Sequence, residues 1–260
     1  MPDYQFIKFA VDAQGIAVIT LNRPERYNAF NQGLVDEWYD ALQQVSANPD
    51  AKVVIVTGAG KAFCAGGDVD EMSNFLDKDS LERKDFLWQH VHRIALTLER
   101  LDRPVIAALN GTARGAGLDM ALMCDIRIAA KSAVFAESYI NMGLMPGDGG
   151  TYFLPRLIGI PRALEMFWTG AEVSADEAER IGFVNRVVPD GQAFAAAHEL
   201  AVKIAMQSQQ AIRFTKRAMY QSLTASLAMH LDMVSSHMAV LEDLPAFRER
   251  LQAFKQRRKS

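Results

Sequence analysis

Apolar and polar positions change their period along this chain, and the changes mark its elements. Two short β-rich runs come first, "FIKFAV" (6–11) and "IAVITLN" (16–22), parted at Gln14-Gly15 and ended at Arg23-Pro24. Asn31 then stands as a helix cap before Leu34, Trp38, Leu42 and Val45 at helical spacing. "KVVIVTG" (52–58) is an unbroken apolar run of strand length ended by glycine, the pattern of a strand covered on both faces, as in a parallel sheet. "GAGKAFCAGGD" (58–68) opens a helix. A long amphipathic segment follows from about Leu81 to Leu101. The pattern then repeats: "PVIAALNG" (104–111) as strand, "TARGAGLD" (112–119) as a small-residue loop entering a helix, and "DIRIAA" (125–130) as strand. Ser174 with Glu177 three residues on predicts a capping box, and "FVNRVV" (183–188) reads as a last short strand. From about Gln192 onward apolar residues recur only at helical spacing. Strands alternating with helices in ββα-type units predict an α/β fold with two stacked sheets. The expected division is a ββα core over 1–195 and a helical C-terminal region over 196–260.

Composition narrows the function classes. Half of the 260 residues are apolar, enough for one large domain with a helical appendage. The net charge is −3, and no basic block precedes the terminal "KQRRKS" (255–260), so nucleic acid is not the expected partner. That cluster reads as a solvated tail, or as a contact to a ligand phosphate. Cys64 and Cys124 lack metal-type spacing and fit small core thiols in a reducing compartment. The N-terminus has no signal-peptide pattern and no run approaches membrane-spanning length, so the expected location is cytoplasmic. His90 and His92 stand two apart on a helix and diverge, and no carboxylate set suggests a metal.

Two loops share one device. In the first, Ala65-Gly66-Gly67-Asp68 follows a strand and Gly58; in the second, Gly115-Ala116-Gly117-Leu118-Asp119 follows a strand and Gly111. Tiny residues where a strand becomes a helix leave free N–H groups at the positive end of the helix dipole, open to close approach. Two such turns side by side would make an anion or oxyanion site; taken singly, each also fits plain tight packing. "GAGKAF" lacks the P-loop spacing, neither glycine loop completes the dinucleotide fingerprint, and no G-x-S-x-G elbow occurs.

Five segments, "NRPERYNAF" (22–30), "GAGKAFCAGGDVDEM" (58–72), "PVIAALNGTARGAGLDMALMCDIRIAA" (104–130), "GLMPGDGGTYFLPRLIG" (143–159) and "TGAEVSADEAERIGFVNRVV" (169–188), together resemble the enoyl-CoA hydratase/isomerase (crotonase) superfamily. The resemblance implies a crotonase-like spiral of ββα units with a helical C-terminal trimerisation region, forming a homotrimer or dimer of trimers. It implies an acyl-CoA thioester substrate, with coenzyme A present only as part of that substrate and no metal or redox cofactor. Two backbone amides bind the thioester oxygen as it becomes an enolate; the matching positions are Ala65 and Ala116, the second usually glycine. Arg26, Tyr27, Gly67, Asp68, Val69 and Gly115 fall in the region that binds substrate, and Lys61 is a further phosphate candidate.

The carboxylates depart from the pattern. Hydratases of this family carry two glutamates; the matching positions hold Asp119, one methylene shorter, and Tyr139, a phenol that either bonds the acyl group or walls its pocket. Asp148, in "MPGDGG", stands near where isomerases and dehalogenases of the family carry an acid. Facing an apolar pocket it would have a raised pKa; alternatively it caps the following helix. Glu137 alternates with Phe135 on an expected strand. The expected activity is that of an acyl-CoA lyase or isomerase, with enolate formation and proton transfer by Asp119 and Asp148. Alternatives are a CoA-thioester hydrolase or dehalogenase, in which His92 would join the site, and a non-catalytic acyl-CoA-binding relative. The acyl group is not legible in the residues.

Overall fold

The computed structural model describes residues 3–257. Ten strands make two sheets. The larger has six strands in the order β1 (Ile7–Val11), β2 (Ile16–Leu21), β3 (Val53–Gly58), β5 (Val105–Leu109), β7 (Ile126–Ala130), β10 (Arg186–Val188). Only β1–β2 is antiparallel. The smaller runs β4 (Ala62–Cys64), β6 (Thr112–Arg114), β8 (Val134–Ala136), β9 (Val173–Ser174). Each of β3, β5 and β7 is followed at once by a short strand of the second sheet and then by a helical segment. That is the expected spiral of ββα units.

The continuous apolar runs are explained by what covers them. Val54 and Val56 face the main core with Trp38, Phe63 and Phe135; Val53 and Ile55 face the other way, onto Ala197, Ala201 and Ala205. Successive strand residues point to opposite faces, so a strand buried on both has no polar alternation. Asn31 caps α1 (Gln32–Ala47) by accepting the Leu34 N–H at 2.9 Å. The segment from Ser80 to Arg100 contains α3 (Ser80–Phe86), one π-helical turn and α4 (His92–Arg100), after the short α2 (Val69–Asn74). Later come α5 (Ala116–Leu122), α6 (Gly150–Ile158), α7 (Ile160–Thr169) and α8 (Ala175–Ile181). Ser174 caps α8 through the Glu177 N–H at 3.3 Å, but the expected box is half made, because the Glu177 carboxylate turns to Arg180.

The helical end divides differently from the expected cut after residue 195. That position falls inside α9 (Ala193–Ala205), whose alanine stripe is buried on the six-stranded sheet. Beyond it, α10 (Gln209–Ser222), α11 (Leu227–Asp243) and α12 (Pro245–Arg257) contain no buried residue. Arg213 and Arg217 tie α10 to Asp102, and Lys216 ties it to Asp125. Among the described residues no helix is long and apolar enough to cross a membrane.

Candidate active site

The two small-residue turns meet backbone to backbone. A Cβ at Gly117 would lie 2.2 Å from the Cys64 carbonyl oxygen, and one at Gly66 would lie 2.9 Å from that of Arg114 and 3.7 Å from the Ala116 nitrogen. Only glycine permits so close an approach. Gly66 also sits at φ +105°, a conformation L side chains rarely adopt.

The expected donor pair needs one correction. The Ala65 N–H donates to the Tyr27 carbonyl at 3.0 Å, so it is already spent. Phe30 bridges to Gly67, taking the Gly66 carbonyl and accepting from the Asp68 N–H. This leaves the Gly67 N–H as the amide of that turn without a protein acceptor among the described residues. On the second turn, Ala116 is the first residue of α5, and its N–H is likewise without a protein acceptor among them.

Asp119 lies one turn into α5 and is fully buried. The start of α6 sits against it: a Cβ at Gly150 would fall 2.2 Å from its Oδ1. The Tyr139 hydroxyl, in the 3-10 turn Ser138–Met142, lies 2.8 Å from Oδ2 of Asp119 and 2.8 Å from Oδ2 of Asp148. The Asp148 N–H donates to Asp119 Oδ2 at 3.1 Å. A phenol has one hydrogen to give. It donates to one of the two carboxyl oxygens at a time, and it can accept from the other only when that carboxyl is protonated. Desolvation raises all three groups. Asp119 is raised further by the Asp148 charge, and Tyr139 by both aspartates. For Asp148 the Tyr139 bond and His92 oppose the rise without cancelling it.

Two further groups join the cluster. His92 Nε2 is 2.8 Å from the Gly147 carbonyl and 4.0 Å from Asp148 Oδ1, while His90 turns away to Asp36, so the two histidines diverge as their spacing requires. Glu137, just past β8, is fully buried. Its place next to Phe135 on a strand pattern was the available signal; its lack of partners was not visible in sequence.

The other expected residues lie around the first turn. Asp68 is buried but bound to Arg23 at 2.8 Å, and it caps α2 through the Asp70 N–H at 3.1 Å. Arg26 pairs with Asp70 on the surface, and Tyr27 and Val69 are exposed. Gly115 takes the φ of +49° that turns β6 into α5. Lys61 is exposed, and residues 258–260 of the basic tail lie outside the described residues.

The spiral of ββα units with its two apposed small-residue turns puts the chain in the crotonase fold class. Residues 12–260 match the model of the enoyl-CoA hydratase/isomerase family, and the chain belongs to that family. It is 43% identical over 221 residues to the probable enoyl-CoA hydratase EchA12 of Mycobacterium tuberculosis (83% of this chain, 78% of the relative). To the crotonyl-CoA hydratase of Syntrophomonas wolfei it is 35% identical over 248 residues (94% and 93%). The crystal structure of an enoyl-CoA hydratase from Bacillus anthracis superposes with a TM-score of 0.91 at 36% identity, over 97% of both chains. The protein is an acyl-CoA enzyme of hydratase/isomerase type.

Proposed function

We propose that the enzyme moves protons at the α-carbon of an enoyl-CoA thioester. The Gly67 and Ala116 N–H groups would hold the thioester oxygen while it takes enolate charge. One preorganised donor of this kind contributes about 3–4 kcal/mol to the transition state. The observation that carries the reading is the Tyr139 bridge, 2.8 Å to each aspartate. It lets the pair serve as acid and base at once, and a raised carboxyl pKa suits proton exchange near neutral pH.

Such a pair would serve either reaction. In adding water to a 2-enoyl thioester, the ionised aspartate takes a proton from water, the oxygen adds at the β-carbon, and the protonated aspartate supplies the α-proton. In moving a double bond, one aspartate takes the α-proton to give the enolate and the other protonates the γ-carbon. Tyr139 then passes a proton between them and resets the site. Arg26, Tyr27 and the Gly67–Val69 turn would receive the nucleotide and pantetheine parts. The exposed apolar side chains on and between α10 and α11, Met219, Leu223, Leu227 and Leu231 among them, support a homotrimer or dimer of trimers.

A hydrolytic reading would use Asp148 as nucleophile and His92 as base, and their 4.0 Å separation favours it. Against it, Asp148 is buried with its pKa raised, which weakens a carboxylate nucleophile.

The test is incubation with 2-enoyl, 3-enoyl and saturated acyl-CoA thioesters in heavy water, followed by mass spectrometry. The expected result is water added to the 2-enoyl thioester with solvent deuterium at the α-carbon, or the double bond moved in the 3-enoyl thioester with solvent deuterium at the γ-carbon and exchange at the α-carbon. Release of free CoA without α-deuterium would overturn the reading in favour of hydrolysis.

A further inference from the structure

Glu137 is the buried group that the proposed chemistry does not use. Both of its carboxyl oxygens are buried without a hydrogen-bond partner, and so are Oδ1 of Asp119 and Oδ1 of Asp148; of these two neighbours Asp119 is the one in hydrogen-bond reach of Glu137. The charged and titratable groups facing it are Asp119 and Asp148; Tyr139 bridges those two, the Cys64 thiol lies buried near Asp148, His92 lies 4.0 Å from Asp148 Oδ1, and Arg114, in register with Ala136 on the neighbouring strand, is paired with Glu172. A buried carboxylate with no donor and no cation is too costly to keep. Desolvation, then the neighbouring Asp119 and Asp148, hold Glu137 in its protonated form. A neutral carboxyl has an O–H that needs an acceptor, and Asp119 Oδ1, with the Gly150 backbone set against it, is buried without a well-formed hydrogen bond.

We propose that Glu137 is a positioning residue that stays neutral and donates its carboxyl proton in a hydrogen bond to Asp119 Oδ1. Asp119 then accepts from Glu137 in addition to the Tyr139 hydroxyl and the Asp148 and Gly150 N–H groups. The Tyr139 oxygen is left to accept from a protonated Asp148. The cluster holds one negative charge, on Asp119, as the base, with Asp148 as the acid. The inference rests on the proton-transfer reading only for its kinetic consequence.

The test uses the full-length protein and its Glu137→Gln and Glu137→Leu variants. Infrared difference spectra without substrate, at neutral pH in light and heavy water, report protonated carboxyl groups directly. Glu137→Gln, close in shape, removes one isotope-sensitive carboxylic C=O band; survival of every such band in this variant overturns the proposal. The second readout is the pH limb of α-proton exchange that titrates Asp119. Glu137→Gln keeps an N–H donor and leaves the limb in place. Glu137→Leu removes the donor and moves the limb up by about one pH unit, since losing a hydrogen bond to a carboxylate disfavours its charge. A limb that stays put or moves down in Glu137→Leu also overturns it. Loss of the band in a protein that exchanges no α-proton would sink the catalytic reading and leave the placement of the proton standing.

Discussion

Two aspartates end two near-identical turns, and they carry opposite charge behaviour. Asp68 closes "CAGGD" and Asp119 closes "RGAGLD". Both are buried. Desolvation pushes Asp68 up, but the Arg23 guanidinium and the Asp70 amide outweigh it and hold the carboxyl below the usual range. Asp119 faces a phenol, two amides and a second carboxyl, with no cation in hydrogen-bond reach among the described residues, and is raised. The turn itself therefore does not decide whether its aspartate is a strut or a reacting group. The partner delivered from another part of the chain decides: Arg23 from the end of β2 in one case, Tyr139 and Asp148 from beyond β8 in the other. Burial with a cation fixes a charge; burial without one leaves a proton free to be shared.

Substitutions at the two positions separate these roles. Asp119→Asn is expected to lower α-proton exchange by roughly 100-fold or more, the usual worth of a general base, with the fold retained. If exchange changes by less than threefold, Asp119 takes no part in proton transfer. Ala116→Pro removes one amide at a helix position where proline is well tolerated. It should lower kcat by roughly 100-fold with little change in Tm, in line with the loss of one oxyanion donor. Unchanged kcat would mean that this turn does not hold the oxygen. Arg23→Met strands a buried Asp68 and is expected to destabilise folding by about 3 kcal/mol in urea, while exchange by the folded protein stays within a few fold. A stability change below about 0.5 kcal/mol would assign the pair to the surface class instead.

The smallest effect concerns pH. Asp68 has a folded pKa below its unfolded value of about 3.9, so its stabilisation is present above that value and is lost as pH falls through the folded pKa. Asp119, Asp148 and Glu137 have raised folded pKa values. Their contribution is intact below the unfolded values near about 4 and is lost as pH rises toward the folded ones. Arg23→Met should flatten the acid limb of the stability curve. Glu137→Gln should remove part of the decline above about pH 4, at most about 1.4 kcal/mol per pH unit for one proton. Identical pH slopes in wild type and Glu137→Gln would show that Glu137 does not hold a proton in the folded state that it loses on unfolding.

Much of the fold was legible, because β2, β3, β5 and β7 are long enough to show their apolar runs and Asn31 announces its helix. The second sheet was expected in kind but not in place. Its strands are two or three residues long, too short for any period, and only the glycines that let them pack hinted at them. In the site, Asp119, Tyr139 and Asp148 were identifiable as positions, but not as neighbours across 20 and 29 residues of chain. The choice between Ala65 and Gly67 was not legible at all. Both are small, and the free amide is set by where the Tyr27 and Phe30 carbonyls land. Glu137 and His92 drew less weight, because burial without a partner and proximity to Asp148 are products of folding.

The account turns on two main-chain donors at one oxygen. The most direct measurement is the infrared carbonyl stretch of an unreactive acyl-CoA carrying a carbon-13 thioester, free and bound. The account predicts a clear shift to lower frequency on binding to the wild-type enzyme, lost in Ala116→Pro while the ligand still binds. A bound thioester whose stretch matches the free one, or a shift that persists undiminished in Ala116→Pro, would contradict it.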